Sequence, residues 1–596
     1  MLARVRSELL NRGLAAVIVT SADPHNSEYV AACFKRRAKL SGFHGSAGTA
    51  VVTEDKALLW TDGRYWVEAE RTLEEGWELM KELRGDPRNV APEDWLLKAL
   101  GDDAKVGVDP ATVTEKQWKT MCEKVRLVPT ATNLVDAASG AAIQTPDDPI
   151  EVHGSQYSGA EPAAKIAAVR EVLRQRGCDF CVVTALDEVA WLLNLRGRDV
   201  PCSPVFYSYA VVSLDAVFLF VDAVKVPDAA RSALEEAGVS IHPYDSLHGF
   251  LTSQRGLGTR CTFDEFQVSH AVALGVKDSG AKLIQGPSII QHLKAIKNET
   301  ERRGFVDCHV RDGVALTRFL AWIDNEVRSG AVMTEHDAAE KLESFRRLMD
   351  RYVQCSFETI AGSGPNGADI HYHPTAEKSS VVSPDALLLV DSGGQYLDGT
   401  TDVTRTVVFR EPKEREVEAY TRVLQGHIAL NTAVFPRNTA GVRLDAFARA
   451  PLWSIGLDYS HGTGHGVGHF LNVHEGPHGI GTVAASHNAT IQEHMIVSNE
   501  PGFYLVGEFG IRIENLDLVR AVSTKHNAAG YLTFESLTMA PLCRELIDIA
   551  LLSEAEKSWV NSYHARVMSS VRPALDGSHP LDTLARAYLE RHAAPL

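Results

Sequence analysis

The 596-residue chain has no long apolar run. Its longest, AVVSLDAVFLFV at 210–221, is strand-length and is broken by Ser213 and Asp215. A bilayer span needs about 20 predominantly apolar residues, so no membrane span and no membrane partner are expected. The first twenty residues do not read as a secretory leader either. Arg4, Arg6, Glu8 and Arg12 interrupt the first apolar positions, and the stretch reads as an amphipathic helix that Gly13 ends before the strand LAAVIV. Cysteine is sparse: nine residues, an odd number, without a disulfide framework. Cys178 and Cys181 form a C-x2-C pair, but no second pair stands at zinc-finger spacing, so buried thiols on a core strand are expected. These features point to a reducing, cytoplasmic setting. Basic excess is also lacking, and a net charge of −17 excludes general binding to nucleic acid or anionic membrane.

What is present is ordinary globular composition, 45% hydrophobic and 23% charged, in a chain too long for one core. Two N-terminal stretches are built alike, each a helix, an apolar strand and turn-rich hairpins. LAAVIVT leads to GTAVVTEDKALLWTDGRY, and CDFCVVTALDEVAWLLNLRG leads to SYAVVSLDAVFLFVD. The reading is a mixed α/β (α+β) chain of two related α/β domains, 1–145 and 146–297, followed by a third domain, 298–540, of a sheet with helices against it, and a helical extension, 541–596. Asn298 and Glu301 form a capping box at the third region's start. Val306, Val310, Val314, Thr317 and Ala321 then follow on one helical face. Ser553 and Glu556 open the extension in the same way, ahead of apolar residues that look exposed.

The chemistry gathers in that third region. Asp391 and Asp402 flank a turn containing Gly393 and Gly394, where a bent hairpin can bring both carboxylates to one face. Such a pair is ordinarily a solvated turn. HGTGHGVGHFLNVHEGP adds His461, His465, His469, His474 and His478 among glycines. Glycine allows close approach of backbone to a metal, and imidazole is the commonest transition-metal ligand. Neither the dinucleotide-binding nor the Walker pattern of glycines fits. Glu500 ends an apolar strand, while Glu514 alternates with Ile511 and Ile513, so Arg512 shares its face and can orient neighbouring carboxylates. Four converging strand carboxylates repel one another unless cations sit among them.

The ordered set Asp391, Asp402, His465, Glu500 and Glu514 resembles the dinuclear site of the pita-bread metallopeptidases, which include methionine aminopeptidases, prolidases and aminopeptidase P. The strings GPNGADIHYHP, DSGGQYLDGTTDVTRT, SNEPGFY and GIRIEN, with SEYVAACFKRRAKLSGFHGSAGTA and LDEVAWLLNLRG upstream, look most like the eukaryotic cytosolic type of aminopeptidase P over the whole chain. The resemblance implies creatinase-like N-terminal domains and a pita-bread catalytic domain. It implies that Asp391 binds one metal, that Asp402 and Glu514 bridge two, and that His465 and Glu500 complete the second. Glu500 also counts as catalytic. His371 and His474 are expected to bind substrate and the developing tetrahedral intermediate, His461 to lie beside a proline pocket, and Arg512 to join the substrate contacts. Oxygen-rich ligands with one imidazole suit Mn²⁺, with Zn²⁺ or Co²⁺ open, and two such ions activate water and polarise a carbonyl. His373, His469 and His478 read as structural or surface residues. His44 in FHGSAG and the string DPHNSEY depart from the commoner family strings, which touches accessory contacts or subunit details only.

The implied activity is hydrolysis between an N-terminal residue and a penultimate proline, acting on peptides, with a homodimer expected. A prolidase confined to dipeptides shares the ligands. A methionine aminopeptidase fits less well, since nearly 300 residues precede the catalytic region. A non-catalytic module binding peptides or histones remains the alternative from another class, although all five ligands are kept.

Overall fold

The strands expected from AVIVT and FCVV each become an inner strand of a six-stranded sheet. The computed structural model describes residues 1–596 except 84–85, 141–142, 254–255 and 484–487. The chain divides into two units, Met1–Ser155 with Ala160–Leu293, and Gln156–Gly159 with Lys294–Leu596.

In the first unit, one sheet runs, edge to edge, Glu78–Lys81, Ala57–Thr61, Thr49–Thr53, Ala16–Thr20, Lys105–Val108 and Arg126–Pro129. The other runs Val239–His242, Val217–Val221, Ser208–Ser213, Phe180–Val183, Arg260–Phe263 and Lys282–Gln285. Strand order and direction are the same in both: the inner strand pairs antiparallel with the following hairpin and parallel with the fifth strand. The kinship read from element order is therefore real at the level of topology. The two halves even meet at equivalent helix starts, where Glu115 N donates to Val268 O and His270 N to Val113 O. Cys178 and Cys181 are buried free thiols, and burial pushes Cys181 up to about 12, so the C-x2-C pair is inert packing.

The second unit is organised around the helix Glu299–Arg328. Asn298 and Glu301 close the expected capping box. Its buried surface is wider than the single face read from periodicity. Residues 312–321 are buried all round, whereas Val306 is 46% exposed and Val310 only partly covered. Gly304 and Gly313 explain the tight fit, since a Cβ at either would run into the backbone carbonyl of Asp398 or Met539. The described residues of this unit also form four sheets, three small and one of six strands. Leu387–Ser392 pairs antiparallel with Ile360–Ser363 and Val403–Val408. A larger sheet runs Phe435–Pro436, Asn527–Ser536, Asn515–Thr524, Ile496–Asn499, Gly464–Gly466 and Glu475–Ile480. Gly502–Leu505 pairs with Phe509–Arg512.

The extension forms the helices Glu554–Val571, opened by the Ser553–Glu556 capping box, and Asp582–His592. The large apolar residues of these two helices are not exposed. Val560, Tyr563, Val567, Val571 and Leu589 join the same core as Val314 and Phe319. Helical periodicity shows that such residues share a face but not what covers it, and here their own unit does. They therefore give the expected homodimer no support. No helix among the described residues is long and apolar enough to cross a membrane.

Candidate metal centre

The hairpin expected around Asp391 and Asp402 forms with an insertion. Asp391 lies opposite Thr404 in the antiparallel ladder, which puts Asp402 just ahead of the partner strand. The intervening residues leave to pair in a separate ribbon, Gly394–Tyr396 against Gly399–Thr400. His465 is central in Gly464–Gly466, Glu500 follows Ile496–Asn499, and Glu514 sits between Phe509–Arg512 and Asn515–Thr524. The five residues thus come from strands of three of these sheets or from the positions just outside them.

These residues converge. Asp391, Asp402 and Glu514 form one group, His465, Glu500 and Glu514 a second, and Asp402, His465 and His474 a third. In each group, one oxygen or ring nitrogen per residue lies within 4.8 Å of the others. His465 Nε2 stands 3.4 Å from both Asp402 Oδ2 and Glu500 Oε1, while Nδ1 donates to Gly466 O at 2.9 Å. That backbone bond directs the Nε2 lone pair at the carboxylates, the tautomer a metal ligand needs. His474 packs edge-on to His465 with ring centroids 4.2 Å apart. His371 is half-buried on the loop after Gly364–Ala368, outside all three groups.

A donor set of this kind is electrostatically unsatisfied by itself. Burial pushes Asp391 up to about 6, reinforced by Asp402 and opposed by Arg512. Burial likewise raises Glu500, and it lifts Glu514 well above the usual range with help from Asp402, Asp391 and Glu500. For His465, burial works downward, but its bond to Asp402 and the charges of Glu500 and Asp402 prevail and bring it to about 9. Asp391 Oδ1 is buried with no hydrogen-bond partner among the described residues. Oxygen-rich donors with one oriented imidazole, an orphaned oxygen and protons held against the usual order all fit a pair of divalent cations.

This fit has a pH signature. A carboxyl or imidazole whose pKa is raised on folding lends stability that is fully present below its unfolded value. That stability is lost as pH rises through the folded value: for Asp391 from 3.8 to about 6, for His465 from 6.5 to about 9. Divalent ions compete for the same atoms and restore what deprotonation removes. The rise in Tm on adding ions to chelated protein should therefore be larger at about pH 8 than at about pH 5.5. Equal shifts at the two pH values would rule out ion binding at this cluster.

Arg512 orients the carboxylates as the strand alternation suggested, although the ladder breaks immediately after it. It donates from NH2 to Asp391 Oδ2 at 2.6 Å and from Nε to Thr404 Oγ1 at 3.0 Å. Thr404 Oγ1 in turn donates to Glu514 Oε2 at 2.7 Å. Tyr504, which the sequence reading did not single out, extends this chain. Its hydroxyl accepts from Arg512 NH1 at 2.6 Å and lies 2.9 Å from His461 Nε2, so His461 is tied to the cluster through Tyr504 and Arg512. Ser498 Oγ donates to Glu500 Oε1 and accepts from His465 N. Glu335 was also missed. Its buried carboxylate accepts from Ser363 N, Asn366 Nδ2, Tyr372 OH and Ser380 N, fixing the loop that carries His371. The only sequence hint was its position one residue after the N-cap Thr334. His478 behaves as structural, with Nε2 on Ile496 O and burial holding it down to about 3. His469 is buried and His373 exposed.

Comparison with known proteins covers the whole chain. Residues 305–521 match the model of metallopeptidase family M24, and 530–596 match the C-terminal region of peptidase M24. Residues 1–139 and 143–301 each match a creatinase/prolidase N-terminal domain. The chain is 46% identical to a protein of Laccaria bicolor named probable Xaa-Pro aminopeptidase P, covering 100% of this chain and 93% of that one. It is 44% identical to aminopeptidase P2 of Arabidopsis thaliana, over 95% and 84% of the two chains. Its fold matches the crystal structure of X-prolyl aminopeptidase from Caenorhabditis elegans, described as a cytosolic enzyme with a di-nuclear active site. That match has a TM-score of 0.95 and 36% identity, over 100% of this chain and 99% of that one.

Proposed function

The chain belongs to metallopeptidase family M24, and from that membership we propose that it is an Xaa-Pro aminopeptidase working with two divalent metal ions. The observation that carries the reading is the convergence of Asp391, Asp402, His465, Glu500 and Glu514, where burial and mutual repulsion disfavour the carboxylates' negative charge unless cations sit among them. Asp391 is assigned to one ion, Asp402 and Glu514 to both, and His465 with Glu500 to the other. Mn²⁺ is the proposed ion, because oxygen donors outnumber nitrogen. When bound, two such ions supply Lewis acidity toward the scissile carbonyl and an activated water.

The chain's own residues handle the peptide. A bond to proline is a tertiary amide without an N–H, so recognition must come from surface around the ring. His461 lies among aromatic rings, with centroids 4.8 Å from Tyr459 and 5.4 Å from Tyr504, and is assigned to that surface. The anionic cluster beside it suits a free α-amino group, which accounts for restriction to the first residue. His371 and His474 donate to the substrate carbonyl as charge develops on its oxygen, and Arg512 keeps Asp391 aligned. The C. elegans relative is described as cytosolic, and the cysteines here are free thiols, which supports a cytosolic setting.

Substrate length tests this. Xaa-Pro-Yaa peptides should be cleaved, their N-acetylated forms should not, and Xaa-Ala-Yaa should be much poorer. Turnover of Xaa-Pro dipeptides with none of Xaa-Pro-Yaa would move the assignment to prolidase. Efficient removal of methionine before alanine would move it to the methionine aminopeptidases.

A further inference from the structure

Arg405 is buried to 1% exposure, and no carboxylate among the described residues pairs with it. A buried cation without a counter-ion needs fixed neutral acceptors on every donor, so its position is over-determined by them. Those acceptors come from four stretches of the second unit. NH1 donates to Thr404 O and Glu514 O, both at 2.8 Å. Nε donates to Pro541 O at 3.0 Å, and NH2 to Asn515 Oδ1 at 2.8 Å and Ala540 O at 2.9 Å. NH2 also donates to the hydroxyl of Tyr563 at 2.9 Å, on the helix Glu554–Val571 of the C-terminal extension. Tyr563 passes its own proton on to Ala540 O at 2.8 Å.

Glu514 is where this bears on the site. It lies in the gap between two strands, so the ladder does not fix it. Its backbone N–H reaches Thr404 O at 3.2 Å, and its carboxylate is held by Thr404 Oγ1. Arg405 therefore clasps the backbone on both sides of the contact that aims a carboxylate shared by two of the ligand-type groups. We infer that the C-terminal extension is part of the metal-centre scaffold, with Tyr563 acting through Arg405 as a positioning residue for Glu514. This rests on the two-ion reading of the site.

Tyr563→Phe isolates the effect, because the ring stacked on Trp559 at 5.2 Å is kept and only the hydroxyl is lost. Arg405 retains its other acceptors, so the expected loss of metal affinity is about tenfold, the lower end for an outer partner of a ligand. Val567→Ala, one turn along the same helix and fully buried, is the control for general loosening. It should lower Tm and leave affinity unchanged. Divalent-ion affinity is read by calorimetric titration of chelated protein alongside Tm. Wild-type affinity in Tyr563→Phe overturns the inference, as does an equal loss in Val567→Ala. A wild-type chain that takes up no ions overturns the metal-centre reading itself.

Discussion

Asp402→Asn is expected to lower metal content and to reduce kcat/KM by well over the roughly 100-fold that losing an outer partner of a metal ligand costs. Asp402 belongs to two of the three ligand-type groups, is 4% exposed, and places Oδ2 3.4 Å from His465 Nε2. An amide there keeps the volume and removes a full negative charge from two of the ligand-type groups. It also presents either a neutral oxygen or an N–H to a site that needs lone pairs. Elemental analysis and steady-state kinetics on the same preparation decide the matter. Normal metal content with a near-normal rate would remove Asp402 from the centre. Exhaustive chelation should abolish hydrolysis in the same way, with Mn²⁺ restoring it better than Mg²⁺. Full activity in protein shown to be free of metal would end the two-ion mechanism altogether.

His371→Ala and His474→Ala should each lower kcat by on the order of 100-fold while metal content stays near normal, since donors to developing charge act in the transition state. His474 is the more demanding case. Its ring centroid stands 4.2 Å from that of His465, and one of its nitrogens lies within 4.8 Å of ligand-type atoms of Asp402 and His465. If His474→Ala loses metal, that residue is a ligand or its support and the assignment changes. His371 lies outside the groups, so metal loss there would point to collapse of the loop that Glu335 holds.

Much of the centre was legible because its residues announce themselves chemically. Glycine-spaced histidines and carboxylates at strand ends are costly to bury without cations. The Asp391–Asp402 hairpin was expected, although the chain reverses between Tyr396 and Gly399 and not at Gly393 and Gly394, which lead into the inserted ribbon. Arg512 was legible from alternation too, although the strand stops there and hydrogen bonds, not the pleat, carry its alignment onto Asp391. Tyr504, Glu335 and Arg405 were not legible. Each is an ordinary residue whose role comes from partners brought together by folding, as with Arg405 and Tyr563. The like-built N-terminal halves could be seen from element order, since topology survives where residue identity fades. Burial was read less well. Periodicity gave Val306 a core face that it lacks and left the extension's apolar residues looking exposed, because a pattern along one helix does not reveal its neighbours.

The ligand-type residues are strung along the chain from Asp391 to Glu514, and the acceptors around Arg405 extend to Tyr563. Few of these contacts are local, so loop-closure entropy must be overcome before any of them contributes. A chain emerging from the ribosome therefore cannot assemble the site piecemeal. Its carboxylates are expected to stay solvated and mutually repelling until the stretches that position them, as far along as the helix of Tyr563, have emerged. Ion uptake is then expected late in folding, as a seal on a finished domain and not as a nucleus for one.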